Sequence, residues 1–132
     1  MRGLIALAFA LALAVPAAAQ SLSPMRDAGT TPSDIKGFRL MVGNPYATRM
    51  SFIVLPMEPG FSTPARDAVV SAPEFRLAPG ASRPVIVKFR IDPALKERTI
   101  GVCVLPKQIE GPILPRVCGT YTGRMAAAGR RR

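Results

Sequence analysis

Residues 83–91 have the sequence RPVIVKFRI and carry the clearest alternation of apolar and polar side chains in this chain. Val85, Val87 and Phe89 fall on one face of an extended strand, whereas Lys88 and its polar neighbours fall on the other. Successive side chains of a strand point to opposite faces, so a period of two predicts a strand buried on one side. The core of the domain is therefore expected on the valine side of this strand.

Similar short runs lie on both sides of this stretch. Strands are expected at 38–42, 48–57, 69–70, 73–77, 99–105 and 117–122. Pro and Gly separate the runs, most clearly at Pro79-Gly80, and act as turn residues there. About seven short strands with such punctuation predict an all-β fold, a single immunoglobulin-like β-sandwich. A small barrel remains the alternative.

The first residues, MRGLIALAFALALAVPAAAQ (1–20), have the pattern of an export signal. Arg2 supplies a positive charge, an apolar run extends to Val15, and small side chains precede Gln20. This predicts a signal peptide over 1–19 and export to the periplasm. The run is shorter than the roughly 20 residues of a membrane-spanning helix. The mature chain is thus expected to have no transmembrane segment.

Composition divides the rest of the chain. Residues 20–36 are rich in Ser, Thr, Pro, Gly and Asp, which predicts a flexible leader. The immunoglobulin-like β-sandwich is expected over 37–125, and Ala, Gly and Arg at 126–132 predict a frayed basic tail.

The chain is strongly basic, with 18 Lys and Arg against 8 Asp and Glu. Removal of Arg2 with the signal peptide leaves 17 against 8, a net charge of +9. Such a balance favours anionic partners. Because export makes nucleic acid a poor candidate, an acidic protein or an anionic envelope surface is expected instead.

Cys103 and Cys118 are the two cysteines of the chain. An oxidising compartment permits a disulfide between them. If their strands pair through the loop at 109–115, both thiols lie on the same face of one sheet and face each other. A structural disulfide is predicted, worth roughly 3 kcal/mol in the loop-entropy model. Two free thiols or a redox pair stay open, although no C-x-x-C motif supports redox chemistry.

Catalytic residue patterns are missing from the sequence. The chain has no histidine, the commonest general base and metal ligand, and its carboxylates are dispersed. It has neither a phosphate-binding glycine loop nor a nucleophile elbow. The sequence predicts that the protein is not an enzyme and uses no cofactor or metal.

Some stretches of the chain resemble a known family. They are FRLMVGNP (38–45), PEFRLAPG followed by RPVIV (73–87), and ERTIGVCV (97–104). Together they resemble the N-terminal domain of periplasmic pilus-assembly chaperones, which has the PapD-like immunoglobulin fold. The resemblance extends over 38–124 and implies binding of an envelope or pilus protein subunit.

The chain also departs from this family. Its members have two such domains, and this chain has room for one. They anchor a subunit carboxylate with a basic pair, whose lysine corresponds to a position near Cys118. Arg116 or Arg124 is a candidate substitute for that lysine, and Arg39 is a candidate for the arginine.

The sequence therefore predicts a periplasmic, non-enzymatic immunoglobulin-like binding module that assists assembly of an envelope or pilus component as a chaperone-like protein. The alternative is a structural subunit of a surface appendage or envelope complex. Partner contacts are predicted at Arg83, Lys88 and Arg90, placed together on the outer face of one strand, and at Arg116 and Arg124.

Overall fold

A computed structural model describes residues 20–108 and 115–126 of the chain. The predicted signal peptide, 1–19, lies outside the described residues. So do 109–114, in the predicted loop between the two cysteine strands, and 127–132 of the predicted basic tail.

Nine strands in two facing sheets, and no helix, make up the described part of the chain. They are β1 (Ser21–Ser23), β2 (Arg26–Thr31), β3 (Ile35–Gly43), β4 (Met50–Met57), β5 (Ala68–Val70), β6 (Glu74–Leu77), β7 (Ser82–Arg90), β8 (Glu97–Pro106) and β9 (Val117–Met125). The four-stranded sheet has the order β1-β3-β7-β5, and the five-stranded sheet has the order β2-β9-β8-β4-β6. The predicted all-β sandwich is confirmed, with nine strands rather than about seven.

The core lies between the inner faces of the two sheets. Val85, Val87 and Phe89 of β7 are buried, as their alternation predicts. The other large, fully buried side chains include Leu40, Val42, Phe52, Val54, Ile91, Ile100, Val102 and Tyr121. Each buried Val, Leu, Ile or Phe side chain contributes about 1.5–3 kcal/mol relative to an exposed one. Burial of these apolar faces is thus the main force that holds the sheets together.

The prediction of a flexible leader over 20–36 is wrong. β1 pairs antiparallel with β3, and β2 pairs parallel with β9 across its full length. The chain changes from one sheet to the other at Pro24, between these two strands. Most side chains of the segment face solvent, so its sequence lacks the apolar alternation of a half-buried strand. Backbone pairing with the two sheets, rather than side-chain burial, makes it extended.

The predicted disulfide joins Cys103 to Cys118. The two residues are directly opposite each other in the register of β8 and β9, with Cα atoms 4.1 Å apart. The bond therefore links neighbouring strands of one sheet, as their shared phase predicts, and does not cross between sheets.

Asn44 directly follows β3, and its buried side chain holds two turns together. Its Nδ2 donates to the carbonyl oxygens of Thr48, at 2.9 Å, and Leu77, at 3.0 Å. Its Oδ1 accepts from the backbone N–H of Tyr46 at 2.9 Å. The loop after β3 is thereby joined to the end of β6, which belongs to the other sheet.

Candidate binding surface

The outer face of the four-stranded sheet brings together basic and apolar side chains. Arg39 of β3 lies opposite Ile86 of β7, and Lys88 of β7 lies beside Val69 of β5. We call this surface the cationic face. Its members are Ile35, Arg39, Met41, Val69, Ile86, Lys88 and Arg90.

The apolar members of the cationic face are unusually open to solvent. Ile35, Met41, Val69 and Ile86 are between 37% and 64% exposed. Gly37 lies opposite Lys88 and adds no side chain to this face. Contiguous exposed apolar side chains framed by polar groups are typical of interaction sites.

The cationic face differs from the five-stranded sheet in its charge. The strands of the four-stranded sheet contain basic residues and not a single Asp or Glu. In the five-stranded sheet acids and bases are mixed, and Arg124 pairs with Glu97 at 3.2 Å. Asp34, at the rim of the cationic face, contacts Arg90 at 3.4 Å, but 61% of the Arg90 side chain remains exposed. The cationic face therefore combines a positive electrostatic potential with exposed apolar side chains, which suits an acidic, partly apolar partner.

The predicted contact residues are not all on this face. Lys88 and Arg90 are placed on it, and their role in binding stays a prediction. The prediction that Arg83 shares their face is wrong, because Arg83 has the same parity as Val85 and lies opposite the buried Val42. Its guanidinium carbon is 5.2 Å from the centre of the Phe75 ring, at the end of the core.

Arg116 and Arg124 lie on the five-stranded sheet side, away from Lys88. The Nη1 atom of Arg116 donates to the carbonyl oxygen of Phe61 at 2.9 Å. Arg124 is held by Glu97 on the neighbouring strand. Both guanidinium groups thus have partners within the domain, and the geometry does not group them with the cationic face.

The sequence indicated Arg39 only as a candidate for the arginine of a basic pair, and its grouping with Lys88, Arg90 and exposed apolar side chains was not predicted. The parity of β3 is sufficient to place Arg39 and Met41 outward, since Phe38, Leu40 and Val42 lie on the inner face. Parity alone does not show which strand lies beside β3. The pairing of β3 with β7 brings Ile86 next to Arg39.

A second feature is the open edge of the five-stranded sheet at β2. The carbonyl oxygen of Met25 accepts from the N–H of Thr120 in β9, and that of Thr31 accepts from the N–H of Ala126, just after β9. Odd-numbered residues of this segment therefore bond to that strand. Backbone groups alternate in direction along a strand. The backbone N–H and C=O groups of Arg26, Ala28 and Thr30 therefore point away from the sheet. No other strand of the described residues pairs with them there.

A cavity of about 520 Å³ opens at the end of the sandwich, beside Arg90. Asp34, Asp67, Asp92 and Arg98 are among its lining residues, which include no His, Cys or Ser. Over 20–108 and 115–126, no three His, Cys, Asp or Glu side chains are grouped to hold a metal ion. No helix in the same ranges has the length and apolar character to cross a bilayer.

Comparison with known proteins places the fold. No protein-family model matches the chain, and no curated protein matches its sequence. Among solved structures, the Escherichia coli chaperone DraB is 21% identical with a TM-score of 0.66, over 84% of this chain and 57% of DraB. A structure of the Salmonella enterica SafA pilin with the SafB chaperone is 20% identical with a TM-score of 0.66, over 84% and 56%. The PapD-like domain 7 of human CEP192 is 12% identical with a TM-score of 0.61, over 83% and 87%.

These likenesses show that the described chain has the PapD-like immunoglobulin fold, which confirms the fold predicted from the sequence. The chain spans little more than half the length of the chaperone chains. It spans most of the CEP192 domain.

Proposed function

We propose that this protein is a periplasmic, non-enzymatic binding module that assists assembly of an envelope or pilus component in a chaperone-like way. The cationic face is its contact surface. The observation that carries the proposal is the grouping of Arg39, Lys88 and Arg90 with exposed apolar side chains on one sheet that lacks acidic residues.

The chaperone part of the proposal rests on fold neighbours. One such structure contains a pilin with its chaperone, and another contains a chaperone with a tip adhesin. An exported domain of the same fold, with a positive apolar surface, suits an acidic subunit with exposed apolar side chains. Apolar contact would supply affinity, and the positive field would speed association and select the partner.

Charge reversal on the cationic face tests this directly. The mature protein is used as bait on its native envelope fraction under non-reducing conditions, and captured proteins are identified by mass spectrometry. The bait is then changed by Arg39→Glu together with Lys88→Glu. A matched bait carries Arg49→Glu together with Arg76→Glu, at exposed positions just before β4 and on β6 of the other sheet. Reversal on the face should weaken capture of a stoichiometric partner roughly tenfold or more, because attraction becomes repulsion.

Each result bears on a different part of the proposal. Equal loss of the partner with both baits would contradict a specific face. Retention of the partner by the double variant would exclude the cationic face as the contact surface. Binding only to anionic lipid vesicles, with no protein captured, would replace the protein partner with the envelope surface itself.

The open edge of β2 favours a second candidate, a structural subunit that joins copies of this chain. Its outward backbone groups could pair with an identical strand. Thr30→Pro would remove an outward N–H without breaking a bond to β9, since the backbone N–H and C=O of Thr30 point away from that strand. Oligomers of the mature protein that dissociate in this variant, measured by light scattering, would support the structural reading; a monomer in both proteins would contradict it.

A further inference from the structure

Gln20 precedes β1 and has a buried side chain, only 2% exposed. Its Nε2 donates to the carbonyl oxygen of Val104 at 2.7 Å and to that of Pro115 at 2.8 Å. Its Oε1 accepts from the hydroxyl of Tyr46 at 3.2 Å. Both amide hydrogens and the amide oxygen are therefore engaged.

These contacts place the side chain across one end of the β8–β9 pair. Val104 lies in β8, and Pro115 lies just before β9. Strand pairing at the start of the described chain begins one residue later, at Ser21 of β1. Gln20 is also the residue that directly follows the predicted signal peptide, 1–19.

A glutamine at the first position of a chain is chemically unstable. Its α-amino nitrogen attacks the side-chain Cδ and forms a five-membered lactam. The Cδ–Nε2 bond breaks, and Nε2 leaves as ammonia with a proton from the amine. The step needs no oxidant or other reactant.

We propose that Gln20 is the first residue of the mature protein and that the fold protects it from this cyclisation. The inference rests on the proposed export and signal-peptide removal. Ring closure would draw Cδ towards the residue's own nitrogen and break the contacts with Val104, Pro115 and Tyr46. The departing nitrogen would also need a proton, whereas its hydrogens face two carbonyl oxygens. The mature chain therefore keeps a free α-amino group and an intact amide between β8 and β9.

The rate of ammonia loss from the mature protein tests the proposal. Exported protein is purified, its first residue is identified by amino-terminal sequencing, and intact mass is followed over time in buffer and in urea. Three neutral hydrogen bonds, each worth about fivefold in an equilibrium, predict cyclisation roughly 100-fold slower in the native state than in urea. Tyr46→Phe removes one of these bonds and should speed the native reaction about fivefold.

The two parts of the proposal fail in different ways. A first residue other than Gln20 would overturn its place at the mature terminus and leave export itself intact. A native protein that is already cyclised, or that cyclises as fast as in urea, would overturn protection by the fold. The same rates can be measured on a chain cut by a protease immediately before Gln20, so failure of export would not hide the result.

Discussion

Buried polar side chains hold the turns and the described amino-terminal segment of this domain in place. Gln20 joins β8 to the residue before the start of β9, and Asn44 joins two turns. The hydroxyl of Tyr121 donates to the carbonyl oxygen of Pro24 at 2.6 Å. Burial raises the pKa of Tyr121 above its usual range, and the negative charge of Asp27 adds to this. No buried side-chain nitrogen or oxygen in the described residues lacks a hydrogen bond. The loss of any one of these groups therefore leaves its partners unsatisfied inside the protein.

Asn44→Ala should lower the free energy of unfolding by about 3 kcal/mol, since it leaves buried carbonyl groups without a donor. Asn44→Asp should cost at least as much, because a carboxylate would face the carbonyl oxygens of Thr48 and Leu77. Urea unfolding followed by circular dichroism measures both. The matched control is Thr48→Ala, which keeps the backbone carbonyl and removes an exposed side chain; an equal loss in that variant would contradict the role of the Asn44 amide.

Asn44 lies in the sequence Gly43-Asn44-Pro45-Tyr46, which is typical of a turn, but the sequence does not show that its side chain links the two sheets. The turn is encoded locally by Gly43 to Tyr46, whereas Leu77 is distant in the chain and is brought close only by packing. Arg83 is different, because its parity with Val85 is visible in the sequence and already separates it from Lys88. Only its contact with Phe75 depends on the facing sheet.

The outer face of the five-stranded sheet is partly covered by the loop after β4. A Cβ atom at Gly101 of β8 would lie 2.5 Å from the Phe61 ring, closer than real atoms approach. Phe61 itself has a φ of 58°, a left-handed conformation that side chains rarely adopt. The loop after β4 can cover this face because Gly101 has no side chain and leaves room for the Phe61 ring.

Gly101→Ala should destabilise the domain by about 1–3 kcal/mol, because the added methyl group displaces the Phe61 ring. In a Phe61→Ala background the same change should cost much less, as measured by a double-mutant cycle in urea. Gly37→Ala is the matched control, since its Cβ would meet ordinary contacts at 3.6 Å or more. Additive costs in the cycle would contradict direct contact as the cause.

Elements differ in how well the sequence predicts them. β7 was predicted well because one of its faces is buried and the other is exposed, so alternation is visible in its residues. β1 and β2 were missed because Ser, Thr, Asp and Gly carry no such pattern, and their extended form depends on β3 and β9. The cationic face was found in part, since a single strand predicts which side chains point outward but not which strand lies beside it.

For the whole molecule, Arg98 connects the two sheets at one end of the sandwich. It belongs to β8 and donates to the carbonyl oxygens of Arg90, at the end of β7, and of Arg66, at 2.8 and 2.7 Å. It also pairs with Glu58 at 3.2 Å, and only 20% of its side chain is exposed. None of these partners is adjacent to Arg98 in the chain, so the connection is not visible in the sequence.

Arg98→Met keeps the apolar stem and removes the donors, and should lower the free energy of unfolding by about 2–3 kcal/mol. Arg98→Lys should recover little, since one ammonium group does not reproduce the planar set of donors. Arg76→Met, at an exposed position on β6, controls for the loss of one positive charge. Equal urea unfolding midpoints for the Arg98→Met and Arg76→Met variants would mean that the hydrogen bonds and ion pair of Arg98 add nothing to the free energy of unfolding.

The parallel pairing of β2 with β9 gives the domain a mechanical property. Their six-residue ladder lies near both ends of the described chain, and the two strands run in the same direction. Tension between the ends would pull β2 and β9 along their axes in opposite directions. The ladder would then be sheared, with its hydrogen bonds loaded together rather than opened one after another. A module built in this way would resist stretching better than one whose terminal strands peel apart.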